Sequence, residues 1–111
     1  MTDEKFLSDV LTELEKARKK FPKTKNIIVA LMEEVGELSE ALLKLTEDGE
    51  LNEKELNERT MNVYKEAVQV ASTALRVAVE GDISMGYRGI CCSYKNCKQP
   101  PIGGPCFLCY E

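Results

Sequence analysis

A chain of 111 residues with a formal net charge of −4 and no histidine is long enough for one small domain with a modest core. It excludes multidomain machinery, imidazole acid–base catalysis and imidazole metal ligands. The first 82 residues hold 12 basic against 18 acidic groups, and residues 83–111 hold three against one, so the body is acidic and general nucleic-acid binding is not expected.

No run approaches transmembrane length, and the opening MTDEKFLSDV has neither the basic start nor the apolar centre of a signal peptide. The expectation is a cytoplasmic protein without a membrane partner. All five cysteines fall between Cys91 and Cys109. Any chemistry in the first 90 residues therefore rests on carboxylates, amides and hydroxyls.

Residues 3–20 repeat apolar side chains at Phe6, Leu7, Val10, Leu11, Leu14 and Ala17, the spacing of an amphipathic helix, with Thr2 or Asp3 as its N-cap. Six basic residues crowd between Lys16 and Lys25, interrupted by Phe21-Pro22, where the proline ends the helix. The cluster reads as a solvated charged face or as a phosphate-binding patch.

The spacing predicts a second helix over 24–46, broken by Glu47-Asp48-Gly49. At about 100° per residue, Glu34 falls in line with Ile27, Ala41 and Leu45, so it points into the apolar sector, with Glu37 one turn on. An unpartnered carboxylate removed from water costs several kcal/mol or changes its protonation state, and two together repel each other. A positive group is expected beside them. It is either a Lys or Arg of a neighbouring helix or a metal ion.

A third helix is predicted over 53–80, ended by Gly81 as C-cap. Its second half is apolar through Val63, Ala67, Val70, Ala71, Ala74, Leu75 and Ala78, flanked by Glu66, Gln69, Thr73 and Arg76 at steps of three and four. Carboxylates three residues apart share one helix face and can reach one cation. Glu34/Glu37 facing Glu66/Gln69 would make an oxygen cage suited to Mg²⁺, which takes carboxylates together with water and substrate phosphate.

Those two stretches, LMEEVGELSEAL (Leu31 to Leu42) and YKEAVQVASTALRVAVEGD (Tyr64 to Asp82), resemble the E-E-x-x-E and E-x-x-D helices of the MazG-like, all-α nucleoside triphosphate pyrophosphohydrolases. The resemblance covers roughly residues 5–82. It implies an all-α helical bundle completed by oligomerisation, as a homodimer or homotetramer with a four-helix core from helices 2 and 3. It also implies Mg²⁺-dependent cleavage of a nucleoside triphosphate to monophosphate and pyrophosphate, in nucleotide-pool housekeeping. Glu34, Glu37 and Glu66 would be the metal ligands and catalytic carboxylates, and Glu33 an accessory acid. Gln69 stands where the family has aspartate; its amide oxygen can still ligate Mg²⁺, but it adds no charge and cannot act as a base. Lys65 and Arg76, with the Lys16–Lys25 cluster, are candidates to meet the substrate phosphates. Surface salt bridging is the alternative for each.

Residues 83–111 lie outside the resemblance and carry five cysteines, four glycines and three prolines in 29 residues, with no helical period. They read as a cysteine-rich tail attached to the helical domain of residues 1–82. Cys92, Cys97, Cys106 and Cys109 have spacings compatible with a four-thiolate zinc site, Cys91 being spare or replacing Cys92. Free or redox-active thiols and disulfides are the other readings. The rival to an enzyme is a non-catalytic helical dimerisation scaffold, its site weakened at Gln69, that displays this tail as a zinc-binding interaction module.

Overall fold

The computed structural model describes residues 2–47 and 49–90. Three helices carry the fold: α1 (Asp3–Lys20), α2 (Ile27–Glu47) and α3 (Glu53–Glu80), followed by a single 3₁₀ turn over Ile83–Met85. They run up, down and up. Tyr64 meets Asp9, Arg76 meets Ala17 and Glu80 meets Arg18, so α3 is parallel to α1. Arg59 donates to the Lys44 carbonyl at 2.6 Å while Gln69 sits against Glu34, so α3 is antiparallel to α2. Both α1 and α2 pack on α3.

The helix ends follow from local chemistry. Thr2 accepts from the Lys5 N–H, Asp3 and Glu4 occupy the first turn of α1, and Arg18, Lys19 and Lys20 occupy its last, each sign complementing the helix dipole. Asn52 caps α3 by accepting from the Glu55 N–H at 2.8 Å. Gly81 closes α3 with φ 84° while its N–H reaches the Arg76 and Val77 carbonyls.

Helix α2 begins at Ile27 and not at Thr24, and the cause is distant in sequence. Asn26 has φ 57°, a left-handed conformation that interrupts helical propagation. The carboxylate of Asp82, which is 2% exposed, accepts from the backbone N–H groups of Asn26 at 3.1 Å and Ile28 at 2.9 Å. Thus the N-terminal cap of α2 comes from beyond the end of α3. Burial by itself would raise the Asp82 pKa, but the Ser84 hydroxyl and the N–H groups of Ile28, Ser84 and Asn26 hold it below the ordinary value of 3.8.

That cap extends the folded body past the composition boundary at residue 82. The Ile83 N–H donates to the Thr24 carbonyl, Asp82 and Tyr87 exchange backbone hydrogen bonds, and Ile90 N–H and the Tyr87 hydroxyl both donate to the Ala78 carbonyl. Residues 83–90 therefore lie on the helices. Gly89, at φ 92°, passes so close to α3 that a Cβ would collide with the Val79 carbonyl oxygen. Gly89→Ala is expected to lower stability by more than about 2 kcal/mol, because backbone strain and the collision add; thermal unfolding measures it.

The alanine-rich arc of α3 is only partly inward, with Val63, Ala67, Val70, Ala71 and Leu75 half-buried. The helix's buried residues are Val68, Ser72 and Arg76, at steps of four, whereas Ala74 and Ala78 are exposed. Helices α1 and α2 straddle this narrower, more polar stripe. It is tolerable because its polar groups are satisfied: Ser72 donates to the Gln69 carbonyl, and Arg76 grips both carboxylate oxygens of Glu80 at 3.1 Å. At the other end of α1, Phe6 meets Tyr64 edge-on at 5.8 Å. The Tyr64 hydroxyl donates to Asp9. That hydrogen bond pushes the phenol up to about 12, while Lys5 first and Tyr64 second hold Asp9 below its usual value.

Apolar side chains remain uncovered. Val29, Met32, Val35, Leu42 and Leu43 of α2 are all exposed, Met32 to 70%, together with Leu56 and Met61 of α3.

Candidate metal centre

The antiparallel register of α2 and α3 brings the two i, i+3 pairs face to face. Glu34, Glu37 and Glu66 each place one carboxylate oxygen within 4.8 Å of the other two. Glu34 and Glu66 are half-buried and Glu37 is exposed. Burial first, then the charges of Glu37 and Glu66, raises the pKa of Glu34 above 4.5. Glu66 is raised by burial and by contact with Glu37, and Lys65 offsets part of that rise. The fold therefore holds Glu34 and Glu66 where burial and the neighbouring carboxylates disfavour their ionised forms, a condition that a cation reverses.

The donor set fits Mg²⁺ in kind, since all three donors are hard oxygens. Exposure of Glu37 leaves one side open to water and phosphate. Among the described residues no Lys or Arg is paired with Glu34, Glu37 or Glu66, so the neighbouring-helix ion pair is not what the fold provides.

Gln69 joins the same cluster. Its terminal oxygen and nitrogen are distinguished by their partners; with the nitrogen inward it donates to Glu34 Oε2 at 2.8 Å and to Glu66 Oε2 at 3.1 Å. Its backbone carbonyl accepts from the hydroxyls of Ser72 at 3.1 Å and Thr73 at 2.8 Å.

The remaining sequence candidates differ in placement. Glu33 is exposed on α2, and Lys65 is exposed beside Glu66. Arg76 lies two turns along α3, 4% exposed, with its guanidinium held by Glu80 and by the Ala17 carbonyl. Its guanidinium is engaged in a buried ion pair, and the residue lines the same cavity as Glu34 and Gln69. The candidate zinc ligands Cys92, Cys97, Cys106 and Cys109, with Cys91, lie outside the described residues.

A cavity of about 370 Å³ opens beside the carboxylates, between Glu13 and Ala17 of α1 with Phe21 just after it, Ala30 and Glu34 of α2, and Gln69, Thr73 and Arg76 of α3. Small side chains on all three helices leave the space. Glu34 and Gln69 belong to both cluster and cavity, and Lys23 and Lys25 also line the cavity. Sequence reasoning missed Glu13 and Phe21, although Glu13 and Ala17 share one face of α1 and Phe21 follows at its end. It also missed Asp82, for which Asp-x-Ser directly after a glycine cap was the available signal.

No family model matches the chain, and no curated protein or solved structure is significantly similar to it.

Proposed function

We propose that this protein is a metal-dependent hydrolase of phosphoanhydrides. The particular activity that fits best is Mg²⁺-dependent hydrolysis of a nucleoside triphosphate to monophosphate and pyrophosphate. One observation carries the reading: Glu34, Glu37 and Glu66, on two facing helices, each bring a carboxylate oxygen within 4.8 Å of the other two, and among the described residues none of them forms an ion pair with a Lys or Arg. The adjoining cavity adds a place, of the size of small-ligand sites, for the part of the substrate that is not phosphate. The likeness of the two acidic stretches to the MazG-like enzymes supplies the reaction.

Bound Mg²⁺ would neutralise the phosphate oxygens and lower the pKa of a coordinated water. Glu34, Glu37 and Glu66 would hold it, with the Gln69 amide oxygen as a neutral fourth donor. Glu37, the most solvent-accessible of the three, would use its free oxygen to accept the proton of the attacking water. Lys65, and Lys23 and Lys25 of the cavity lining, would meet the phosphate chain; Arg76 lines the cavity too, but its guanidinium is already paired with Glu80. The nucleoside would lie in the cavity against Phe21 and Ala30.

The test is a panel of standard and modified nucleoside triphosphates incubated with Mg²⁺ and assayed for pyrophosphate. Release that stops on adding EDTA supports the reading; no release from any member of the panel sinks it.

The uncovered apolar residues of α2 and α3 favour a dimer whose four-helix core is built from these two helices. Light scattering at micromolar concentration should give twice the chain mass. A folded monomer would remove the dimer and, with it, any nucleotide contact from a second subunit.

A further inference from the structure

We propose that Gln69 is an amide clasp, which closes the acidic site when no cation is present and turns over when one enters. The proposal rests on the metal reading of Glu34, Glu37 and Glu66 given above. Its basis is the position of the Gln69 amide, 2.8 Å from Glu34 Oε2 on α2 and 3.1 Å from Glu66 Oε2 on its own helix. A primary amide offers two N–H donors on one side and a carbonyl oxygen on the other, in nearly the same shape. With the nitrogen inward, one neutral group satisfies an oxygen of each acid. These hydrogen bonds are of the charge-assisted kind, roughly twice as strong as neutral ones.

An aspartate, the residue that the family resemblance leads one to expect here, would do the opposite. It would set a fourth carboxylate against three and leave the pair of helices dependent on a cation. Glutamine instead bridges α2 to α3 across the site without one. The turn that carries it is fixed, since the Ser72 and Thr73 hydroxyls both donate to its backbone carbonyl. What stays free is the terminal torsion, which is broad and roughly two-fold. Half a turn about it exchanges nitrogen for oxygen, converting a donor to the carboxylates into a ligand for a cation among them, with no movement of backbone.

Two consequences follow for binding. An entering cation must displace two hydrogen bonds and gains only a neutral ligand, so the site takes Mg²⁺ more weakly than an aspartate site would. The folded chain also persists when the cation is absent. Gln69 thus acts on Glu34 and Glu66 when the site is empty and on the cation itself when the site is filled.

The full-length chain with ¹⁵N-labelled glutamine tests this by NMR, with Gln69→Leu identifying the side-chain resonances. In EDTA the Gln69 NH₂ protons should be shifted from free-glutamine positions and slowed in exchange with water, and millimolar Mg²⁺ should move them back. Thermal unfolding in EDTA should rank wild type above Gln69→Leu and Gln69→Asp lowest. Added Mg²⁺ should restore Gln69→Asp but not Gln69→Leu, and calorimetry should give Gln69→Asp at least about tenfold tighter Mg²⁺ binding, from one added charge at ligand distance. Free-glutamine resonances in EDTA would overturn the clasp whether or not the variants fold. A clasp signature that Mg²⁺ leaves untouched, with no gain of affinity in Gln69→Asp, would overturn the turnover and the metal reading together, leaving a structural bridge.

Discussion

Replacing Glu34 by glutamine should abolish Mg²⁺-dependent hydrolysis while leaving the cation-free protein as stable as the wild type or more so. Activity should fall by at least about a hundredfold, because the substitution removes one of three charged donors from the cation. Stability moves the other way for a separate reason. Burial and the neighbouring carboxylates hold the Glu34 pKa above its ordinary value, so its ionised form is disfavoured in the folded chain, and a neutral isostere relieves that cost. In EDTA the melting temperature should rise by a few degrees, where about 1 kcal/mol corresponds to roughly 4–8 °C in a domain of 60–100 residues. The carbonyl of the new side chain can still accept from Gln69. Unfolding of Glu34→Gln would mean that Glu34 is a structural partner, against the absence of any basic group paired with it among the described residues.

Asp82→Ala should produce a large loss of stability although it is distant from the site. Its carboxylate, 2% exposed, collects the N–H groups of Asn26, Ile28 and Ser84. Removing it leaves the N-terminus of α2 uncapped and detaches the turn at Ile83–Met85. Loss of a cap and of hydrogen bonds to a charged group together should cost about 2–3 kcal/mol.

The pH dependence has a definite sign. The folded pKa lies below the unfolded value of 3.8, so the contribution is complete above 3.8 and is lost as pH falls through the lower folded value. The gap in melting temperature between wild type and Asp82→Asn should be constant from neutral pH to about pH 5 and shrink below 4. A gap that does not change with pH would mean that Asp82 acts as a neutral acceptor.

Helices α1 and α3 were legible to the residue, because Thr2, the acidic first turn of α1 and Gly81 are local signals that a chain carries whatever its tertiary fold. The start of α2 was not. Its cap is Asp82, 54 positions beyond Ile28, and no local rule reaches that far. The same holds for residues 83–90, whose glycines suggest a loop until Gly89 is seen against α3.

Within the site, the sharing of one helix face by Glu34 and Glu37, and by Glu66 and Gln69, followed from spacing alone. Which end of the Gln69 amide faces the acids depends on the register of the two helices, which spacing does not contain. Arg76 forms the salt bridge that the sequence offered, but within the fold and not on the surface. The i, i+4 partner Glu80 was visible in the sequence, but burial of the pair under Ala17 and Arg18 of α1 was not.

³¹P NMR of the wild-type protein acting on its best triphosphate, with Mg²⁺ present, tests the central claim most directly because it identifies the bond that breaks. Monophosphate and pyrophosphate should grow in equal amounts as the triphosphate signals fade, and EDTA should halt all three changes. Diphosphate with orthophosphate, or intact triphosphate throughout, would contradict the account.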